Sequence, residues 1–394
     1  VARYPGALGN SLQVCVITSG NYAANAETVA TGAVNKAPDS GDIHIVILDE
    51  DGDITGTANT VLEVFENLDN DSPTTDTDNY NYSLTGGSDG STPTTANLQA
   101  VYTTAFGDSD TIDVNILIGP TGADTSAVGY AAANAVNAVA SARKDCVAVV
   151  SPPTTGSDGT ALQSTIAAAV TNATDWATGI TTDSYGILAS TAAYVYDKYN
   201  DVYRWIGSAG HVAGLCANVD DVSEPWFSPA GYNRGQLRGV VKLGYNPSSS
   251  QRDTLYKARI NPLVSFPGAG LLLFGDKTAQ IKASAFDRIN VRRLFIVLEK
   301  AISTASKYQL FELNDEFTRA MFRNMTEPFL RDVKGRRGIT DFLVVCDETN
   351  NTSTVVDENR FVADIYIKPA SSINFITLNF IATRTGVEFS EIAG

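Results

Sequence analysis

The stretch YKARINPLVSFPGAGLLLFGDKT, residues 256–278, reads as two short strands joined by a tight turn. In Phe266-Pro267-Gly268-Ala269, proline presets φ at the second turn position and glycine takes the positive φ at the third, the residue order of a type II turn. The turn would join a strand from Arg259 to Ser265 to a strand from Leu271 to Phe274, with Gly270 and Gly275 bracketing the second. These glycines do not mark a nucleotide site: GAGLLLFG lacks the lysine of a P-loop and the GxGxxG spacing of a dinucleotide fold. A buried hairpin accounts for them.

The chain changes character around this hairpin. Through Pro229 it carries 6 Lys+Arg against 27 Asp+Glu, a net of −21; beyond Pro229 it carries 22 against 17, a net of +5. A field of that sign argues against nucleic acid on the first part and leaves the second open to an acidic partner. With 394 residues the chain holds two or more domains with substantial cores. No apolar run approaches the roughly 18 to 20 residues that cross a bilayer, so no membrane insertion is expected. Cys15, Cys146, Cys216 and Cys346 stand singly in apolar, strand-like contexts, which predicts buried thiols.

Upstream of the hairpin the pattern is α/β. Ser11–Thr18 and the run from Ile43 to Leu48 read as strands, the second followed by an Asp-Gly hairpin turn at Asp51-Gly52. The turn is a better account than a calcium loop starting at Asp49, whose sixth and twelfth positions are Ile54 and Thr60 in place of glycine and glutamate. Val61–Leu68 is predicted as a short helix and 69–97 as a polar surface excursion. Then Thr111–Ile118, Thr125–Arg143 and Cys146–Ser151 form a β-α-β unit, which implies a parallel strand pair. A helix from Leu162 to Thr174, a strand from Tyr185 to Leu188 and a hairpin from Val195 to Trp205 around Asn200-Asp201 extend it. His211, within Gly207–Asp221, reads as lying in a glycine-rich turn.

Downstream the pattern is α+β. A helix over Arg292–Ser306 presents Leu294, Val297, Leu298, Ala301, Ile302 and Ala305 as one stripe. A second helix begins at Asn314 as N-cap, with Phe317, Met321 and Met325 as its apolar side until Pro328 kinks or ends it. Its other side carries Arg319, Arg323, Glu327 and Arg331 four apart, followed by Lys334, Arg336 and Arg337. Strands are predicted over Asp341–Cys346, Phe361–Ile367 and Ile373–Thr383. A strand at the chain end has unpaired backbone groups with which to extend another chain's sheet.

Trp226, Pro229-Ala230-Gly231, Arg234-Gly235, Asp253, Leu255-Tyr256, Ile260-Asn261, Phe266-Pro267-Gly268 and Phe274-Gly275-Asp276-Lys277-Thr278, in that order, resemble the C-terminal half of contractile tail sheath proteins. These form the sleeve of contractile phage tails and are related to the sheaths of R-type pyocins and type VI secretion. The resemblance implies an acidic outer α/β domain (1–222) facing solvent and an inner C-terminal α+β sheath domain (223–394) carrying the assembly contacts. Val1–Ile17 resembles an interior segment of the family, so an N-terminal arm is expected upstream.

By resemblance, the chain is a structural subunit that polymerises with itself in six-fold rings around a tail tube, meets baseplate and tail terminator proteins, and contracts to drive the tube through a host envelope. It would be a virion component assembled in the host cytoplasm, with no catalysis, cofactor or metal. The family's strand exchange falls on Phe375, Ile376, Thr377, Leu378, Asn379, Phe380 and Ile381, and its tube-facing contacts on Arg319, Arg323, Arg331, Lys334, Arg336 and Arg337. Two other classes fit the sequence less well: a virion surface adhesin using the 69–97 excursion, and a doubly wound enzyme using Gly119–Asp124 at a strand's carboxyl end. Two histidines, His44 and His211, do not readily build a triad or a metal cage.

Overall fold

The computed structural model describes residues 6–69, 78, 80–90, 94–120, 129–153 and 165–373, and the chain divides into two compact units, Val1–Thr92 and Pro93–Gly394. In the first unit the strands are β1 (Leu12–Thr18), β2 (Asp42–Asp49), β3 (Thr60–Asp69) and β4 (Tyr80–Ser83), and they form one antiparallel sheet in the order β3-β2-β1-β4. Alternate residues of the central pair, Cys15 and Ile17 on β1 and Val46 and Leu48 on β2, pack with Ala30 of the short helix α1 (Thr28–Gly32).

Val61–Leu68, predicted as a helix, is strand β3. Val61, Val64, Phe65 and Leu68 do recur at helical spacing. However, a helix there would leave one edge of β2 unpaired, and pairing with that edge decides the conformation. β3 fits by register shifts opposite Ile43–Ile45 and Ile47–Leu48.

The connection from β2 to β3 is also longer than the predicted two-residue turn: it spans 50–59. Gly52 does take a positive φ of 83°, but Asp49 organises the loop. Its buried carboxylate accepts from Ser11 Oγ at 2.5 Å, Thr55 N and Oγ1 at 2.7 Å each, and Ile54 N at 3.1 Å. Burial raises its pKa, but these donors outweigh burial and hold it at about 2.

The second unit is mixed α/β. After α2 (Thr95–Phe106), β5 (Ile116–Ile118), α3 (Ala131–Arg143) and β6 (Val147–Val150) make the expected β-α-β unit with parallel strands. Helix α4 (Ile166–Gly179) leads to β7 (Gly186–Ala189), and every residue of β6 and β7 is buried, as strands covered on both faces require. The hairpin of β8 (Ala192–Asp197) and β9 (Val202–Gly207) turns at Lys198–Asp201, with Asp201 at a φ of 53°.

His211 does not lie in a turn: it sits on helix α5 (Ala209–Val222). Val212, Ala213, Cys216 and Val219 share its buried face, and packing that face outweighs the cost of Gly210 and Gly214, roughly 1 kcal/mol each. Val212, Ala213 and Cys216 share one apolar cluster with Val147, Ile187, Leu263, Leu273, Ile289 and Ile296. The change of charge near residue 222 therefore does not coincide with a break in packing.

Next come β10 (Val240–Leu243), α6 (Ser249–Lys257) and β11 (Ile260–Asn261). β11 adds in parallel to β7, giving the sheet order β11-β7-β6-β5, while β10 pairs with β8. The predicted hairpin is present as β12 (Leu263–Phe266) and β13 (Gly270–Leu273). Ala269 N donates to Phe266 O at 3.1 Å and Gly268 has a φ of 79°, as a type II turn demands.

The remaining elements are α7 (Ile289–Ser306), α8 (Glu316–Gly335), β14 (Ile339–Val345), α9 (Ser353–Asp357) and β15 (Asp364–Pro369). Leu294 and Leu298 of α7, Leu330 and Val333 of α8, and Ile339 and Val344 of β14 close a core around Trp226. The Trp226 indole donates to Arg336 O at 3.1 Å.

Candidate assembly surface

Helix α8 is capped one residue later than predicted, by Asp315, whose carboxylate accepts from Thr318 N at 2.8 Å. That bond lowers the Asp315 pKa. Asn314 is used differently: its Nδ2 donates to Arg360 O at 2.7 Å, and its Oδ1 accepts from Arg319 Nη1 at 3.1 Å. Pro328 does not end α8, which runs on to Gly335. Burial of Leu330 and Val333 beyond the proline offsets the backbone hydrogen bond it removes.

The helix is also rotated relative to the sequence reading. Phe317, Met321 and Met325, predicted as its apolar side, are exposed, whereas Thr318, Arg319, Phe322, Thr326, Leu330 and Val333 are buried. The sequence carries two apolar stripes. The one through Phe322, Leu330 and Val333 runs along the helix, Phe322 meeting Phe361 and Leu330 and Val333 meeting α7 and β14, so it is the one that is buried.

The six residues predicted to face a tube therefore separate. Arg319 is 8% exposed and serves Asn314. Arg323 is half-buried, and with Arg319, Glu316, Cys346, Asp347, Glu348 and Thr349 it lines a cleft of about 450 Å³. The other four are exposed at the C-terminal end of α8: Arg331 lies 3.7 Å from Glu327, Lys334 is 3.0 Å from Asp341, Arg336 is 2.8 Å from Glu224 and 3.1 Å from Asp332, and Arg337 follows them. Hydrogen bonding to Glu224 raises the Arg336 pKa, and the bond from Lys334 lowers that of Asp341.

Beside α8, β14 and β15 pair antiparallel and hydrogen-bond to no third strand among the described residues. Phe342, Ile365 and Ile367 pack against the Trp226 core, while Leu343 and Tyr366 face solvent. The chain then leaves the sheet on a fixed path. Ala370 N donates to Gly338 O at 3.1 Å, Asn290 Nδ2 donates to Ala370 O at 3.3 Å, and Ser372 Oγ donates to the buried Asp276 at 2.5 Å. Asp276 also holds Tyr256 and Arg288, at 3.1 and 3.2 Å. Burial and then Asp276 push the Tyr256 phenol up to about 12. This root was missed in the sequence reading, because its partners lie far apart along the chain. The predicted strand-exchange residues Phe375, Ile376, Thr377, Leu378, Asn379, Phe380 and Ile381 lie outside the described residues.

The model of the phage tail sheath protein central domain matches residues 95–279, and that of the phage tail sheath C-terminal domain matches residues 282–383. The chain belongs to the phage tail sheath family. The C-terminal domain match takes in α7, α8, β14 and β15, the elements just described. This sheath chain is 50% identical over 273 residues to the tail sheath protein of Vibrio phage KVP40, covering 66% of the chain and 40% of the relative. It is 46% identical over 299 residues to that of Enterobacteria phage T4, covering 73% of the chain and 45% of the relative.

The sheath chain thus spans less than half the length of these relatives. Its fold is similar to a chain of the PVC extracellular contractile injection system sheath complex, with a TM-score of 0.59 and 20% identity over 71% of this chain and 75% of that one. It is also similar to a chain of the anti-feeding prophage baseplate structure, with a TM-score of 0.58 and 16% identity over 76% of each.

His44 accepts from Asn67 N through Nδ1 at 2.9 Å and has Nε2 3.0 Å from Lys36 O, and Cys15, Cys146, Cys216 and Cys346 are buried thiols. His211 is half-buried on α5, where burial lowers its pKa. Of the Gly119–Asp124 run, only Gly119 and Pro120 are described. No group of three His, Cys, Asp or Glu among the described residues is placed to hold a metal.

Proposed function

We propose that the chain is the structural subunit of a contractile phage tail sheath, polymerising in six-fold rings around a tail tube and contracting to drive the tube through the host envelope. The observation that carries the reading is the adjacent match of two sheath domains across 95–383. The two-stranded β14–β15 sheet supports it as a receiving surface: among the described residues neither edge pairs with a further strand, so each can accept one. The alternating run Ile373–Thr383, with Phe375 to Ile381 at its centre, is the donor to a neighbouring copy, and the Asp276–Ser372 contact fixes where it leaves the donor. Rigid units joined through shared strands can then swing between two packings without parting.

The tube contact is assigned to the exposed basic end of α8, Arg331, Lys334, Arg336 and Arg337. The acidic 1–222 part faces solvent, where like charges keep finished sleeves apart. Baseplate and terminator contacts close the ends of the sleeve, and the protein is a virion component built in the host cytoplasm.

Electron microscopy of the full-length protein, with and without tube protein, tests the reading: six-fold rings or sleeves are expected, and monomers under both conditions overturn it. Removing 373–394 should abolish sleeves while leaving the melting transition of the remaining chain in place. Normal sleeves from that deletion would remove strand exchange alone.

A further inference from the structure

Seven residues of α3 are buried, and six of them are alanine or valine. The seventh, Asn137, is 2% exposed, and neither its Oδ1 nor its Nδ2 has a hydrogen-bond partner among the described residues. Asparagine is a poorer helix former than alanine, and a buried amide without partners has given up its water with no return. Asn134, one turn earlier, shows what the same side chain does as a structural clamp: Nδ2 donates to Gly179 O and Oδ1 accepts from Thr181 N, at 2.9 Å each. Asn137 clamps nothing, yet the neighbouring strand makes room for it. A Cβ on Gly186 of β7 would lie 2.9 Å from its Oδ1 and 3.0 Å from its Nδ2.

Asn137 is the one buried residue lining a cavity of about 300 Å³, whose other walls are Ala138, Ser141 and Ala142 of α3 with Thr181 and Asp183 from the connection between α4 and β7. Asp183 is the only charged group in that lining. Its Oδ1 accepts from Tyr185 N at 3.2 Å, while its buried Oδ2 has no partner among the described residues. The neighbouring cation, Arg292 of α7, donates instead to Ser184 Oγ at 2.6 Å and to Tyr185 Oη at 3.3 Å. Three unmet polar atoms thus belong to two side chains of one cavity: a carboxylate oxygen, an amide oxygen and an amide NH₂. Ala138 and Ala142, one turn apart and exposed, add an apolar wall.

We propose that this cavity binds a small protonated amino alcohol. Its ammonium group donates to Asp183 Oδ2, its hydroxyl accepts from Asn137 Nδ2 and donates to Asn137 Oδ1, and its carbon skeleton lies along Ala138 and Ala142. Each half of the ligand answers a different need. An ammonium group has donors and a full charge, which suits a carboxylate, but it has no acceptor for the Asn137 NH₂; a hydroxyl has both. A bare metal ion would fill little of 300 Å³ and leave both the amide NH₂ and the alanine wall uncovered. Small-molecule sites begin at about this volume and combine a few placed polar groups with apolar lining. The site lies away from β14, β15 and the basic end of α8, so it stands or falls independently of the sheath reading.

The test is ligand-detected nuclear magnetic resonance on the full-length protein near neutral pH, with 1-amino-2-propanol as the probe. Saturable binding at one site per chain is expected. Two compounds of the same shape isolate the two halves: 2-methylpropylamine has a methyl group in place of the hydroxyl, and 1,2-propanediol has a hydroxyl in place of the ammonium. Each should bind at least about tenfold more weakly (roughly 1.4 kcal/mol). Asp183→Asn and Asn137→Leu should weaken the probe by a similar factor. The melting temperature of Asn137→Leu should not fall, because the substitution removes an unpartnered amide from the interior. Should that variant not fold, Asp183→Asn alone carries the comparison, since it keeps the acceptor for Tyr185 N. No saturable binding, with water alone filling the cavity, overturns the proposal. So does equal binding of both analogues, or unchanged binding in Asp183→Asn.

Discussion

Phe317 and Phe322 lie on one helix and share one side chain, but they differ in face: Phe317 is 74% exposed and Phe322 is 2% exposed. Replacing each by alanine measures which face of α8 is the core. A phenyl side chain that buries roughly 200 Å² at about 25 cal/mol per Å² is worth up to about 5 kcal/mol, an upper bound because the unfolded chain already hides part of it. Phe322 also meets Phe361 edge to face at 5.5 Å, a contact worth about 0.5–1.5 kcal/mol.

Phe322→Ala should therefore cost about 3–5 kcal/mol, and Phe317→Ala, with about a quarter of its surface covered, no more than about 1 kcal/mol. The assay is urea unfolding of the unassembled protein followed by far-ultraviolet circular dichroism, with the midpoint shift multiplied by the shared slope. Near the melting temperature, a unit of this size loses roughly 1.5–2 °C per kcal/mol, so the two variants should differ by about 3–10 °C. Equal losses, or a larger loss at Phe317, would refute the assignment of the buried face.

Acid should loosen the first unit through Asp49. Its folded pKa of about 2 lies below the unfolded value of roughly 3.9, so its contribution is present above about pH 4 and is lost as pH falls through about 2. Asp49→Asn should flatten that part of the pH–stability curve, and an unchanged curve would count against the clasp. Gly268→Ala meets open space but keeps a φ of 79°, so it should cost about 1 kcal/mol by urea unfolding. Gly338→Ala should cost more, because its Cβ would lie 2.7 Å from Val333 and 3.0 Å from Trp226; the reverse order would contradict the packing around that tryptophan.

Local chemistry was legible in the sequence wherever one residue type has few conformational choices. Pro267-Gly268 specified its turn, Asn200-Asp201 its hairpin, and the uninterrupted apolar runs Val147–Val150 and Gly186–Ala189 the parallel strands. The order of motifs from Trp226 onward was enough to point to the sheath family before any contact was known.

Three assignments waited for the tertiary structure, because each turns on a partner distant in the chain. Val61–Leu68 had helical spacing, but the open edge of β2 drew it into the sheet. Gly210 and Gly214 weaken a helix locally, and packing against β6 and β7 restored it. On α8 the sequence offered two apolar stripes, and α7 and β14 determined which one was buried. That choice set the site: it turned Arg319 inward to hold Asn314 and left Phe317 and Met321 in water. Spacing along a chain ranks the faces a segment offers, but burial is shared between segments, so which face is used depends on what lies opposite.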